Sequence, residues 1–125
     1  MDTHALLWWF IDDPALSAAA RKAIRSRSNT IFVSAASAWE LATKFRIGKL
    51  PQGLELASQF DAILAQERFE PLQITTAHAI RAGLLPGPHR DPFDRVLIAQ
   101  SQAENLPIIS SDPVFDAYKL RRLWD

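Results

Sequence analysis

The chain has 125 residues, 48% of them hydrophobic and 22% charged, which bounds it to one domain with one real core. It contains no cysteine, so neither a disulfide nor a thiolate zinc site holds the fold together. Formal net charge is zero, so any affinity for nucleic acid has to come from a local basic patch and not from an overall field.

The chain opens on an apolar run from Ala5 to Ile11 that stops at Asp12-Asp13. It has no basic flank before it and is far too short to cross a bilayer, so it reads as a helix rather than a leader or anchor, and a reducing cytoplasm is the expected location. A first helix is predicted over Ala5 to Phe10. A second is predicted over Pro14 to Ser26, with Leu16, Ala20, Ala23 and Ile24 inward and Pro14 in its first turn, where a missing N–H costs nothing. Thr30 to Ser34 is a β-branched and aromatic run, predicted as a buried strand. Helices are expected from Ser37 to near Gly48 and from Leu54 to Gln66, where Leu56, Ala57, Phe60, Ile63 and Leu64 recur at the helical period.

Phe69 to Ile74 reads as a strand, and Pro71 puts it at an edge. Thr75 to Leu85 is helical, and Pro86-Gly87-Pro88-His89-Arg90 is a turn-forming loop. Pro92 to Asn105 is helical, Leu106 to Ser110 a strand, and a short helix near Pro113 to Tyr118 leads to an apolar stretch ending at Trp124. Strands separated by helices of this length imply an α/β fold with a parallel sheet covered on both faces. Asp2-Thr3 is placed as if just after a first strand, yet only Met1 precedes it, so that strand reads as truncated.

In an open parallel α/β sheet, ligands and chemistry collect at the carboxyl ends of the strands. Asp2 precedes the first helix, Glu40 follows the strand ending at Ser34, and Asp112 follows the strand ending at Ser110. Asp91 and Asp94 open the helix that leads into that last strand. Taken singly these have structural roles: Asp91 and Asp112 each precede a proline and suit helix caps, Asp94 complements a helix dipole, and Glu40 can pair with Lys44. Taken jointly they point further. Glu40 lies within the small, apolar stretch Ala35 to Ala42, where a buried charge needs a partner. Carboxylates brought together repel unless protonated or joined by a cation, and Mg²⁺ is a hard ion that takes oxygen ligands and keeps waters for a phosphate.

The sequence Asp2-Thr3-His4-Ala5-Leu6-Leu7-Trp8-Trp9 resembles the opening motif of a PIN-domain subgroup. Ser34 to Leu41, running on to Lys49-Leu50, resembles its second motif. His89-Arg90-Asp91-Pro92-Phe93-Asp94-Arg95-Val96-Leu97-Ile98-Ala99-Gln100 is similar to the third, and Ile109-Ser110-Ser111-Asp112-Pro113-Val114-Phe115 to the fourth. The resemblance covers nearly the whole chain in order. It implies a VapC-type toxin endoribonuclease, a three-layer α/β/α PIN domain over residues 1–125 with a central parallel sheet of about five strands, and a partner antitoxin. Position by position it implies Asp2, Glu40, Asp94 and Asp112 as catalytic and metal-binding residues for Mg²⁺, or Mn²⁺ in its place. Asp91, Thr3, Ser110 and Ser111 are auxiliary, as further carboxylate or hydroxyl donors.

RNA has to reach this acidic pocket, so Lys44, Arg46, Arg90 and Arg95 are expected as phosphate contacts, and a solvated helix face is the better account of Lys49. Four tryptophans are many for this length, and one of Trp8 and Trp9 is expected at a homodimer or antitoxin contact. Two other readings compete with this one. A phosphoacceptor receiver domain wants a lysine after a late strand, where this chain has Ser110-Ser111-Asp112. A catalytically silent PIN-like interaction module has no need for all four acids.

Overall fold

The computed structural model describes residues 1–125. Helix α1 (Thr3–Phe10) starts at Asp2, whose Oδ1 accepts the Ala5 N–H at 2.9 Å. Helix α2 (Ala18–Arg25) starts later than its sequence pattern suggests. Asp13 accepts the Ala15 N–H at 2.8 Å and bends the chain around Pro14, and the Ser17 hydroxyl then caps the helix by accepting from Ala20. Pro14 is therefore a turn residue and not the first residue of a helix.

Strand β1 (Phe32–Ser34) runs directly into α3 (Ala35–Arg46), with Ser34 as cap. The single helix expected from Leu54 to Gln66 is two, α4 (Gly53–Ser58) and α5 (Phe60–Glu67), broken at Gln59, whose φ is −115°. Helix α4 packs on α3 whereas α5 packs against strand β2 (Glu70–Leu72), and one straight rod does not meet both. Helices α6 (Thr76–Leu84) and α7 (Pro92–Glu104) pack on each other. Strand β3 (Ile108–Ile109), a 3₁₀ turn (Pro113–Tyr118) and strand β4 (Arg122–Leu123) complete the chain.

Gly53 sets the approach of α4 to α3, since a Cβ there would lie 2.6 Å from the Leu41 carbonyl oxygen. Alanine is ordinarily the better helix residue, but here the obstacle is backbone. Gly53→Ala is expected to lower stability by about 1–3 kcal/mol in denaturant unfolding, the usual range for overpacking. A neutral or stabilising result would show that α4 shifts freely.

The strands form two parallel pairs, β1 with β2 and β3 with β4, and not the continuous sheet of about five strands expected. Between the pairs lie Met1 and Asp2. The Met1 ammonium donates to the Phe32 carbonyl at 3.1 Å, and the Asp2 N–H donates to the Ile109 carbonyl at 2.9 Å. Two residues thus occupy the position of a central strand and give one bond to each flank, too few for a continuous ladder. Pro71 sits on edge strand β2 as expected. The Glu70 N–H bonds to the Ile31 carbonyl, so by alternation the Pro71 nitrogen faces away from β1.

The sheet divides the single core expected from length into two. Leu6, Val33, Leu41, Leu56, Leu64 and Ile109 belong to the larger cluster. Ala36, Leu97, Ile98, Ile108 and Phe115 form the smaller. Ile108 and Ile109 are consecutive strand residues and point to opposite faces, which places the strands between two helical layers.

Candidate active site

The carboxyl ends of β1 and β3 and the start of α1 meet through hydroxyl groups. Asp2 is buried, and its Oδ2 accepts from the Ser110 hydroxyl at 2.5 Å. That bond ties the end of β3 to the start of α1, and the same Ser110 oxygen accepts the Asp112 N–H at 3.0 Å. Thr3 donates to the Ser37 hydroxyl at 3.1 Å and ties α1 to α3. Burial raises the Asp2 pKa against the lowering effect of the Ser110 and Ala5 hydrogen bonds. Asp112 is exposed, and its Oδ1 caps the 3₁₀ turn by accepting from Val114 at 3.0 Å. Ser111 is exposed and Ser110 wholly buried, so Ser110 is the hydroxyl that supports a carboxylate.

The second part of the site lies where α3 meets α7. Glu40 is 3% exposed and accepts from the Lys44 ammonium at 2.5 Å, one helical turn on. Desolvation pulls the Lys44 pKa down, but the hydrogen bond and charge of Glu40, with the charges of Asp91 and Asp94, outweigh it and hold the pKa above its ordinary value. Asp94 accepts from or donates to His89 Nε2 across 2.9 Å. Burial is the main cause that lifts Asp94 to about 6, helped by the negative charges of Asp91 and Glu40 and opposed by the His89 hydrogen bond. Asp91 caps α7, its Oδ1 accepting from both Phe93 and Asp94. Trp39 meets Phe93 edge-on, with ring centroids 4.4 Å apart, and joins α3 to α7.

Glu40, Asp91 and Asp94 lie in one another's field, and Ser110 joins Asp2 to the Asp112 backbone, but no three acidic or histidine side chains converge closely enough to share one ion. Each carboxylate has a protein partner: Ser110 for Asp2, Lys44 for Glu40, His89 for Asp94 and the Val114 N–H for Asp112. The donor chemistry nonetheless fits a divalent cation. The oxygens are hard and Glu40 and Asp94 lie in each other's field, while the Lys44 ammonium on Glu40 is the group a cation would have to displace.

The basic residues divide. Arg46 and Arg90 are exposed. Lys44 is drawn to Glu40 and presents its charge inside the site rather than along its rim. Arg95 is not available as a phosphate contact, which corrects its expected role. Its guanidinium donates to the carbonyls of Ala82 at 3.0 Å, Leu85 at 2.7 Å and His89 at 2.9 Å, so it clamps the loop between α6 and α7. Two contributors are not evident from sequence. His89 has no role of its own there, because a loop position does not reveal what it bends back to touch. Arg122 donates to the Ser110 carbonyl at 3.2 Å and pairs with Asp116 at 2.9 Å, and nothing in the last stretch of sequence signals it.

The PIN domain family model matches residues 1–120, nearly the whole chain. The chain belongs to the PIN domain family, whose α/β character agrees with the alternating helices and parallel strands. It is also similar to Ribonuclease VapC16 of Mycobacterium tuberculosis, 38% identical over 58 residues. That alignment takes in 46% of this chain and spans 41% of that protein's length. No helix is long and apolar enough to cross a membrane.

Proposed function

We propose that this protein is a divalent-metal-dependent endoribonuclease, the VapC-type toxin of a toxin–antitoxin pair, acting in the cytoplasm. The observation that carries the reading is the pair Glu40 and Asp94, each in the other's field where α3 meets α7 of a PIN-family chain, with a Lys44–Glu40 contact beside them. The similarity to a protein named as a ribonuclease supports it. Asp94 and Asp2 would hold Mg²⁺, or Mn²⁺, with Glu40 and Asp112 completing the set directly or through water. When bound, such an ion polarises the phosphate and lowers the pKa of an attacking water. Glu40 orients that water, and Lys44 supplies a cation for a phosphate oxygen. Arg46 and Arg90 place the RNA backbone. The test is incubation of purified, antitoxin-free protein with total RNA in Mg²⁺ or EDTA; intact RNA in both would remove the reading.

Proton competition at Asp94 sets a pH dependence. With its pKa near 6, Asp94 is mostly protonated below that value and mostly ionised above it. Only the ionised form is a good ligand, so at limiting Mg²⁺ cleavage should rise with pH through about 6 and level off above it. Excess Mg²⁺ should move the midpoint down. A midpoint that stays put as Mg²⁺ is varied would place the titrating group elsewhere.

The antitoxin and a second copy of the chain are the proposed partners. Large apolar side chains stand exposed in two regions: Trp39, Phe45, Ile47 and Leu54 around α3 and α4, and Ile80 and Leu84 on α6. The first region adjoins the site and suits an antitoxin segment that covers it, while the second suits a homodimer. Trp8 and Trp9, where such a contact was expected, are half-buried against Trp124 and Phe69. Light scattering that finds only monomer at high concentration would count against the homodimer.

A further inference from the structure

Glu40 and Lys44 stand one turn apart on α3, and their contact is 2.5 Å long. On a solvated helix face such a pair is a weak and ordinary device. This one is set differently. The Glu40 side chain is almost wholly buried, so its charge has lost its water and needs a partner at all times. The Lys44 side chain is 23% exposed, and its flexible stem carries a compact charge that water takes up readily once it is released. The acid is fixed and the base is free to leave.

The surroundings leave this pair short of positive charge. Lys44 lies in the field of three carboxylates, Glu40, Asp91 and Asp94, yet its ammonium gives a hydrogen bond to Glu40 alone. Lys44 therefore neutralises Glu40 and does little for Asp94, which meets His89 instead. A divalent ion in the same place adds one positive charge to the cluster. It also takes oxygens from more than one carboxylate, which an ammonium bonded to a single oxygen does not do.

We propose that Lys44 is a displaceable counterion: it holds Glu40 in the metal-free protein, yields that oxygen to a divalent cation, and is thereby freed to meet the substrate phosphate. The proposal rests on the reading of Glu40 and Asp94 as metal ligands, though not on cleavage itself. Two consequences follow from the exchange. Without metal, the buried Glu40 keeps a partner and α3 stays in place. With metal, each ion has to break the Lys44 contact, so the affinity of the site lies below what its carboxylates alone would give. Lys44 thus sets the concentration of cation that the site needs.

The probe is Mg²⁺ alone, without RNA. In the wild-type protein Glu40 holds the Lys44 ammonium protons, which should give a slowly exchanging NMR signal that fades as Mg²⁺ is added. Lys44→Gln should bind Mg²⁺ at least about tenfold more tightly by calorimetry, the scale of coupling between adjacent charges, and should cleave RNA more slowly at saturating Mg²⁺. Without metal it should melt below the wild type, and Mg²⁺ should raise its midpoint by more. Lys44→Arg keeps the charge and should bind Mg²⁺ no more tightly than the wild type. A merely structural lysine predicts the opposite sign, since its loss loosens the site and weakens metal binding. A Lys44 signal that persists at high Mg²⁺ would overturn the proposal, whether or not RNA is cleaved, and this measurement decides the matter even where the variant fails to fold. Mg²⁺ affinity in folded Lys44→Gln at or below the wild-type value would overturn it too. Release of Lys44 by Mg²⁺ in a protein that leaves RNA intact would uphold it and remove the nuclease reading.

Discussion

Asp94→Asn is expected to fold normally and to lose RNA cleavage by more than about 100-fold, since supporting residues around metal ligands already cost 10–100-fold when removed. The substitution keeps the side-chain volume and leaves an oxygen for His89, but it removes the charge a cation needs. Stability should not fall. Burial lifts Asp94 to about 6, above its ordinary value of 3.8, so the folded state disfavours the ionised form. Stability associated with this group is therefore fully present below pH 4 and is lost as pH rises through about 6. An amide escapes that loss, and at pH 7 the variant should melt at the wild-type temperature or above it. Asp91→Asn makes the contrast. Asparagine caps helices as well as aspartate does, so the bonds to Phe93 and Asp94 persist and cleavage should stay within about tenfold of wild type. Equal losses for the two variants would mean that Asp91 carries as much of the site as Asp94.

Much of the fold was legible because local signals and tertiary demands agree. Thr75 at the head of α6, Asp91-Pro92 at the head of α7 and Asp112-Pro113 before the 3₁₀ turn mark their elements in sequence, and each cap is made. The failures have specific causes. Pro14 fits the first turn of a helix, but the Asp13 side chain competes for the local backbone and wins. The apolar period from Leu56 to Leu64 persists across the break at Gln59, and periodicity does not register a change of direction. The number of paired strands was not legible either, because β3 and β4 are two residues each and the central position holds only Met1 and Asp2.

The site was legible as a set of acids but not as a set of contacts. Glu40 in an apolar stretch announced that it needs a partner, and the partner in the structure is Lys44. The sequence pattern placed four carboxylates at one end of the sheet. It did not reveal that each meets a donor of its own. Arg95 failed as a phosphate contact for a related reason. An arginine beside an acidic pair looks available for RNA, yet the loop from Leu85 to Asp91 turns its carbonyls inward, and a guanidinium with five donors is what satisfies them.

Cleavage is expected to leave 5′-phosphate and 3′-hydroxyl ends and to stop in EDTA. The structure supplies a rival that makes the measurement decisive. His89 lies 2.9 Å from Asp94, and a histidine oriented by a carboxylate is a familiar general base. Such a pair would deprotonate the RNA's own 2′-hydroxyl and leave a 2′,3′-cyclic phosphate without metal. The other histidines offer no competing route: His78 is buried between Thr75 and Glu104, and His4 is exposed beside Trp8. Two features favour the carboxylate route. Glu40 and Asp94 lie in each other's field, an arrangement that calls for a cation, and transfer through a 2′-hydroxyl makes no use of Glu40, Asp2 or Asp112. His89 then acts as a placeholder on Asp94, so His89→Gln should retain metal-dependent cleavage with unchanged product ends. Mass analysis of the fragments separates the two. Cyclic phosphates that form in EDTA and vanish in His89→Gln would assign the reaction to the His89–Asp94 pair and leave the remaining carboxylates a structural role.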